Sequence, residues 1–271
     1  MSSAGDPGSA RRIVSRDNTL FRELLHLAGS ARERRRREAS LIEGVHLCEA
    51  YLQRHGRARK VLVAESALDD PEVAALIAGL DEPPVILAAP LFKAISAVEH
   101  GVGIALLIDT PRPALPARIE ADTVYLDRLQ DPGNVGTILR TCAAAGVRRV
   151  LTAPGTAWCW SPKVLRAGMG AHFHLEIHES VGWAELVPRL RVQVRATTAV
   201  AEGDLWDADL RAPALWLFGQ EGGGLAAELL EAATLTVSIP QAPAVESLNV
   251  GVAAALCLYE QMRQRRSTRL S

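Results

Sequence analysis

Five polar residues in the C-terminal half of the chain stand where apolar, strand-like runs give way to polar loops. Arg140 lies among apolar neighbours, so its guanidinium needs an anionic partner or a route to solvent. Asn249 lies in the first turn of an apolar helix pattern, where alanine or valine would pack better, so we expect its amide to have a bonding partner. We predict that these side chains face a polar or anionic ligand, and the set is Asn134, Arg140, Glu221, Ser247 and Asn249.

Each of these residues also has a purely structural interpretation. Asn134 ends a turn and could cap the next helix by accepting a backbone N–H. Ser247 or Glu246 could cap the final helix, and Glu221 could be an ordinary carboxylate at a helix N-terminus. Ser247 has no sequence-level link to any histidine, so the sequence predicts no Ser-His-Asp triad.

The glycine-rich segment LFGQEGGGL (217–225) does not match two familiar phosphate sites. It lacks the Gly-Lys-Ser/Thr ending of a P-loop, and the chain has no G-x-G-x-x-G after a strand. A nucleotide-phosphate site and a nicotinamide-dependent oxidoreductase are therefore disfavoured. The glycines are better explained as positions where backbone groups approach a ligand closely.

Metal, redox and membrane functions find little support in the sequence. His172, His174 and His178 alternate along the chain, but ordinary strand or loop histidines explain them better than a metal site. No stretch reaches the ~18 consecutive apolar residues of a membrane span. The cysteines show no paired spacing, which predicts buried reduced thiols and a cytoplasmic protein; they are Cys48, Cys142, Cys159 and Cys257.

Charge is distributed unevenly, although the formal net charge is −1. Residues 1–60 carry 13 Lys and Arg against 7 Asp and Glu, whereas residues 61–258 carry 13 against 23. Residues 259–271 carry 4 against 1. A polyanion would therefore meet the ends of the chain more readily than its middle. The arginine run at 32–37 is either a solvated surface or an RNA contact.

Helices and strands alternate along the whole chain and must position these residues. The first block has helices at 19–28, 45–54, 71–80 and 91–97 and strands at 39–43, 60–64, 84–88 and 102–108. The second block has strands at 123–127, 148–153, 192–200, 214–219 and 235–240 and helices at 135–145, 162–170, 183–190, 225–233 and 247–265. The proline-rich segment 109–121 separates the two blocks and is typical of a linker.

We therefore predict an α/β fold with a smaller N-terminal domain at 15–108 and a C-terminal domain at 122–271, preceded by a disordered tail at 1–14. Strands followed by helices imply a mostly parallel sheet in the second domain. Ligands gather at the carboxyl ends of such strands, and all the polar segments begin there. The final helix carries an apolar stripe, consisting of Val252, Leu256, Tyr259 and Met262.

Three segments resemble the signature motifs of the SpoU–TrmH family of RNA ribose 2′-O-methyltransferases: DPGNVGTILRTC (131–142), LFGQEGGGL (217–225) and SIPQAPAVESLNVGVAAAL (238–256). The resemblance covers roughly residues 120–260. It implies a C-terminal parallel sheet with a deep trefoil knot of the SPOUT type, whose loops bind S-adenosyl-L-methionine without a metal. By motif position the cofactor would contact Gly219, Ile239 and Leu248, and Thr197 would line the same pocket.

The resemblance also assigns a catalytic face to Asn134, Arg140, Glu221, Ser247 and Asn249, in enzymes that work as homodimers. Arg140 is often given the role of base, but a guanidinium with a pKa above ~12 keeps its proton in proteins. We therefore expect Arg140 to clamp a phosphate and stabilise the oxyanion. The sequence departs from the family pattern twice, because glycine replaces a frequent serine at both Gly168 and Gly251.

The segment SRDNTLFRELLHLAGSARERRRREASLIEGVHLCEAYL (15–52) is similar in pattern to a ribosomal-protein-like, substrate-binding domain often fused to this family. This resemblance implies an RNA substrate, with large-subunit ribosomal RNA expected and transfer RNA as the alternative. A catalytically silent RNA-binding protein of the same fold would be expected to lack Arg140 or Asn249, and both are present.

Overall fold

Two α/β units make up the computed structural model, which describes residues 10–198, 201, 203–220, 222–242, 244 and 247–268. One unit comprises Met1–Pro111 with Trp160–Pro162, and the other comprises Arg112–Cys159 with Lys163–Ser271. Each contains a sheet and helices, which confirms the predicted α/β class. Within the described residues no helix combines the length and the hydropathy needed to span a membrane.

A five-stranded mixed sheet forms the first unit, in the order β1-β4-β3-β5-β2. Its strands are β1 (Arg11–Ile13), β2 (Ala39–Glu43), β3 (Lys60–Ala64), β4 (Val85–Leu87) and β5 (Ile104–Asp109). Its helices are α1 (Thr19–Gly29), α2 (Ala31–Arg37), α3 (Val45–His55), α4 (Pro71–Ala78) and α5 (Ala89–Ile95). Strand β4 pairs in parallel with β1 and β3, whereas β5 pairs antiparallel with β2 and β3.

Two elements of this unit differ from the sequence prediction. A disordered tail was expected over 1–14, but β1 pairs in parallel register with β4, so the prediction is wrong for residues 11–13. Of the three residues of β1 only Ile13 is buried, which leaves no periodic signal to detect. The arginine run forms helix α2, because Ser30 Oγ accepts the backbone N–H of Glu33 at 3.2 Å and caps it.

A seven-stranded sheet forms the second unit, in the order β10-β12-β9-β11-β6-β7-β8. Its strands are β6 (Thr123–Asp127), β7 (Arg149–Thr152), β8 (Glu176–His178), β9 (Gln193–Thr197), β10 (Gly203–Asp204), β11 (Ala214–Gly219) and β12 (Leu235–Ser238). All of the pairings between them are parallel, as predicted. Strand β6, which lies inside the sheet between β11 and β7, is buried at every position, as expected of a parallel strand covered on both faces.

Among the described residues, five α-helices accompany this sheet: α6 (Pro132–Ala145), α7 (Pro162–Gly168), α8 (Trp183–Leu186), α9 (Ala227–Glu231) and α10 (Val250–Thr268). Asp131, and not Asn134, caps α6, because Asp131 Oδ1 accepts the backbone N–H of Asn134 at 2.8 Å. The capping interpretation of Asn134 is therefore wrong. Helices α6 and α7 approach closely at Gly136, where a Cβ would stand 2.4 Å from the Cβ of Ala167.

Helix α10 packs on α6 and begins after Asn249, whose Oδ1 accepts the backbone N–H of Gly251 at 2.9 Å. Asn249 thus caps the helix, whereas the sequence placed it inside the first turn. The buried face of α10 carries Ala254, Cys257 and Leu258. The predicted apolar stripe lies elsewhere on the helix: Val252 is 48% exposed and Tyr259 46% exposed. Leu256 and Met262 are half-buried, so the chain covers this stripe only in part.

Candidate active site

The carboxyl ends of four neighbouring parallel strands meet at one edge of the larger sheet. Gly219, at the end of β11, pairs in register with Asp127, at the end of β6. Thr197 ends β9 beside them, and β12 ends immediately before Ile239. The polar segments predicted from the sequence follow three of these strands, so the topology brings them to one place.

The loop after β11 folds back over its own first residue. The backbone N–H of Gly224 donates to the carbonyl of Gln220 at 2.9 Å, and Gly224 adopts a φ of 62°. A Cβ at Gly219 would stand 2.3 Å from the carbonyl carbon of Gly224, so only glycine fits there. Asp127 holds the far end of the loop, since its Oδ2 accepts the backbone N–H of Ala226 at 3.0 Å.

A cavity of about 420 Å³ opens at this edge. All four residues predicted to contact the cofactor line it, namely Thr197, Gly219, Ile239 and Leu248. Ser247 and Asn249 line it as well. Thr198, Gln220 and Gln241 also line the cavity and were not predicted; each follows a strand end, and that position was the available signal.

A side-chain hydrogen bond joins two of the predicted catalytic residues. Asn249 Nδ2 donates to Asn134 Oδ1 at 2.8 Å, across 115 positions of sequence. Because Asn249 Oδ1 accepts the first amides of α10, both ends of this amide have a partner and its orientation is fixed. The bond attaches the start of α6 to the wall of the cavity. The bonding partner expected for Asn249 is therefore Asn134.

Arg140 lies on α6 with its side chain exposed, while Ile138 and Leu139 point into the core. The sequence required an anionic partner or a route to solvent for Arg140, and the structure provides the route to solvent, because its apolar sequence neighbours occupy other sides of the helix. Its side chain has no hydrogen bond or ion pair to any residue that the structure describes. The last predicted catalytic residue, Glu221, lies outside the described residues.

Histidines and cysteines contribute no metal or redox centre to the described part of the chain. His172 is 1% exposed, with Nε2 lying 2.9 Å from the carbonyl oxygen of Cys159, and burial lowers its pKa to about 4. His178 is also buried, whereas His174 is exposed. All four cysteines are buried and unpaired, which confirms that prediction. No cluster of three or more potential metal ligands occurs among the described residues.

The arginine run on α2 is largely engaged within its own unit. Arg34 is buried, and its Nη1 donates to the carbonyl oxygens of Leu27 and Ala28, at 2.5 and 2.9 Å. Arg36 pairs with Glu33 through two hydrogen bonds of 3.1 and 2.7 Å. Arg37 bonds to Glu33 and also to Glu23. The run is thus neither a uniform solvated surface nor a set of equivalent cations.

A family model described as the SpoU rRNA Methylase family matches residues 122–259, about half of the chain. The chain belongs to this family. The matched region contains all three polar segments and the whole cavity. The predicted family and the predicted class, an RNA methyltransferase that uses S-adenosyl-L-methionine, are confirmed. The trefoil knot stays a prediction.

Relatives resemble this SpoU methylase over nearly its whole length. An uncharacterized tRNA/rRNA methyltransferase of Synechocystis is 36% identical, covering 93% of this chain and 94% of the relative. The 23S rRNA (guanosine(2553)-2′-O)-methyltransferase of Bacillus subtilis is 30% identical, covering 84% of this chain and 90% of the relative. The solved SpoU methyltransferase AviRb from Streptomyces viridochromogenes, in complex with AdoMet, superimposes with a TM-score of 0.81 at 26% identity, covering 92% and 100% of the two chains.

Geometry explains the first of the two departures from the family pattern and bears on the second. A Cβ at Gly168 would stand 2.5 Å from Cε1 of the buried His172, so a serine there would displace that ring. A Cβ at Gly251 would stand 3.1 Å from Asn249 Oδ1 and 3.2 Å from the side chain of Thr137. That contact is tight but needs a shift of only a few tenths of an ångström.

Proposed function

We propose that this SpoU methylase transfers a methyl group from S-adenosyl-L-methionine to a ribose 2′-hydroxyl of large-subunit ribosomal RNA. One observation carries the proposal: the cavity at the carboxyl edge of the sheet is joined to α6 by the bond from Asn249 to Asn134. This hydrogen bond connects the pocket for the methyl donor to helix α6, which bears the exposed Arg140. The 23S rRNA substrate named for the relative in Bacillus subtilis supports the choice of RNA.

The cavity residues fit S-adenosyl-L-methionine. A volume of about 420 Å³ lies within the usual range of small-molecule sites. Leu225, Ile239 and Leu248 offer apolar surface suited to a purine ring, while Gln220 and Gln241 offer amide groups for its polar edge. When bound, the cofactor supplies an electrophilic methyl group on a sulfonium sulfur. The protein has then to align the ribose 2′-oxygen and stabilise its developing negative charge.

We assign Arg140 to stabilising the negative charge that develops on the ribose 2′-oxygen. A guanidinium remains protonated in proteins, so Arg140 does not act as the base. Its planar fork suits a phosphate and an adjacent oxyanion, and its exposure leaves it accessible to RNA. The proton of the hydroxyl leaves to solvent or to the substrate phosphate. Ser247 and Glu221 complete the proposed catalytic face together with the two asparagines.

Two further assignments rest on the resemblance to the SpoU–TrmH family. We assign residues 15–108 to binding the RNA substrate and residues 109–121 to the linker. We assign the working unit to a homodimer in the cytoplasm, which contacts its second copy through the stripe on α10. The exposure of Val252 and Tyr259 supports this assignment, because apolar side chains on a helix are otherwise expected to pack within the chain.

Methyl transfer to purified RNA tests the proposal. We expect the protein to label protein-free 23S rRNA but not transfer RNA, with the methyl group on a ribose 2′-oxygen. Titration calorimetry should show binding of S-adenosyl-L-homocysteine without added metal. Light scattering should give twice the 29.1 kDa chain mass.

Three results would contradict it. Methylation of transfer RNA alone would change the substrate, and binding of RNA without any transfer would indicate a catalytically silent protein. A fully active monomer would refute the homodimer.

A further inference from the structure

The cations of the larger unit fall into two groups according to their partners. One group consists of arginines, half-buried or exposed, that form ion pairs with nearby carboxylates, namely Arg128, Arg149, Arg189, Arg211, Arg263 and Arg265. A second group is exposed and has no hydrogen bond or ion pair to any described residue, namely Arg118, Arg140, Arg148, Lys163, Arg166 and Arg266. An acidic domain that binds RNA has to draw its phosphate contacts from cations of this second kind, and the position of each cation decides whether it can contribute.

Three of these free cations lie on two helices that touch. Helix α7 carries Lys163 and Arg166, which are three residues apart and therefore neighbours on one face. Helix α6 meets α7 at Gly136, whose added Cβ would lie 2.4 Å from Ala167 and 2.9 Å from the backbone nitrogen of Gly168. Arg140 follows Gly136 by one helical turn, so it stands beside the contact with α7.

The three side chains are also all exposed to solvent. Each helix has one flank turned to the core, marked by the buried Leu139 on α6 and the buried Leu165 on α7. The exposed flanks carry Arg140 on α6 and Lys163 and Arg166 on α7. Because the helices are in contact, their solvent-facing flanks form one continuous surface.

We propose that Lys163 and Arg166 extend the phosphate contact of Arg140 into a track that holds the backbone of the substrate RNA beside the target nucleotide. The proposal rests on the proposed function, since it takes Arg140 to bind the phosphate at the reacting ribose. The ligand is a single RNA strand, because the target nucleotide must leave its base stack before its ribose can meet the reacting groups. Lys163 and Arg166 bind and position this strand; they are not catalytic residues.

A comparison of two double variants with wild type tests the track. Lys163→Ala/Arg166→Ala removes two charges from the proposed surface. Arg118→Ala/Arg148→Ala removes two charges that are also exposed and have no partner among the described residues; Arg148 precedes β7, at the opposite, amino end of the strands. The measurements are affinity for protein-free 23S rRNA against salt, methylation kinetics, and binding of S-adenosyl-L-homocysteine.

For Lys163→Ala/Arg166→Ala we expect the slope of log affinity against log salt to become shallower by about 1.4, since each single-strand phosphate contact contributes about 0.7. KM for RNA should rise about tenfold while kcat stays within about twofold, because the lost contacts hold the ground and transition states equally. Cofactor affinity should not change. The control variant should keep the wild-type slope and KM.

Two results would overturn the track while leaving the proposed function intact. An unchanged slope and KM in Lys163→Ala/Arg166→Ala, with wild type active, would mean that α7 does not touch RNA. Equal losses in both double variants would mean that only net charge matters. Absence of methyl transfer by wild type would instead refute the proposed function itself.

Discussion

Helix α2 and the contacting helices α6 and α7 differ in whether their basic side chains have partners within the chain. Helix α2 concentrates them in the sequence ARERRRR, yet one is buried against carbonyls and two are bonded to carboxylates. Helices α6 and α7 carry only Arg140, Lys163 and Arg166, and none has a partner among the described residues. Three isolated cations therefore offer a polyanion more accessible charge than those three members of the run.

The difference comes from where the carboxylates lie. Glu33 precedes Arg36 and Arg37 by three and four residues, the spacing at which side chains on a helix meet. Helix α6 contains no acidic residue, and α7 contains none either. Availability for binding is thus set by local pairing, which a count of arginines cannot show.

The largest effect is expected on the rate of methyl transfer when Arg140, the unpaired cation on α6, is replaced. Arg140→Ala should lower kcat by about 10²- to 10³-fold, because the contact with the developing charge is made mainly in the transition state. S-adenosyl-L-homocysteine affinity should stay within about twofold, since Arg140 does not line the cavity. Single-turnover methylation and calorimetry would measure both quantities.

Arg140→Lys serves as the matched variant, because it keeps the charge without the planar fork. We expect only partial recovery of rate. If Arg140→Ala lost cofactor affinity and rate in parallel, the residue would belong to the cofactor pocket instead.

A second prediction concerns the buried member of the run. Arg34→Ala should destabilise the protein by about 1.5–3 kcal/mol, because it leaves the carbonyls of Leu27 and Ala28 at the end of α1 without their charged donor. Urea unfolding would measure the change. Arg32→Ala, at an exposed position of the same helix, should stay within about 0.5 kcal/mol of wild type. Equal stability of the two variants would show that Arg34 is as dispensable as a surface residue.

Sequence patterns predicted the strong elements and missed the weak ones. Strands such as β6 and β11 were predicted with the observed bounds, because their buried apolar runs end at clear turn residues. Strands β10 and β8, of two and three residues, were not predicted, because neither contains an apolar run. The order β9-β11-β6 has no local signal, since non-consecutive strands become neighbours only through tertiary packing.

The candidate site was likewise predicted only in part. The family resemblance named the cavity residues Thr197, Gly219, Ile239 and Leu248, because the cofactor positions of its motifs carry over to this chain. It could not reveal that Asn249 bonds to Asn134, since the two lie 115 residues apart. Nor could it show that Arg140 is exposed, because helical geometry, and not sequence proximity, decides which neighbours share its face.

The smallest effect should come from releasing the paired arginines of α2. Glu33→Gln keeps the shape of the side chain but removes the carboxylate that accepts from Arg36 and Arg37. If the N-terminal unit binds RNA, affinity for 23S rRNA should rise about two- to threefold and the salt dependence should steepen slightly.

In wild type, the hydrogen bond from Arg36 holds the pKa of Glu33 at about 2. A lowered pKa means that the pairing is complete above the ordinary value of 4.5 and is lost only as pH falls towards 2. Glu33 should therefore add no step to RNA binding between about pH 5 and 8, and the gain in Glu33→Gln should be constant over that range. Unchanged affinity in this variant would show that α2 lies away from the RNA and that the free cations of α6 and α7 act without it.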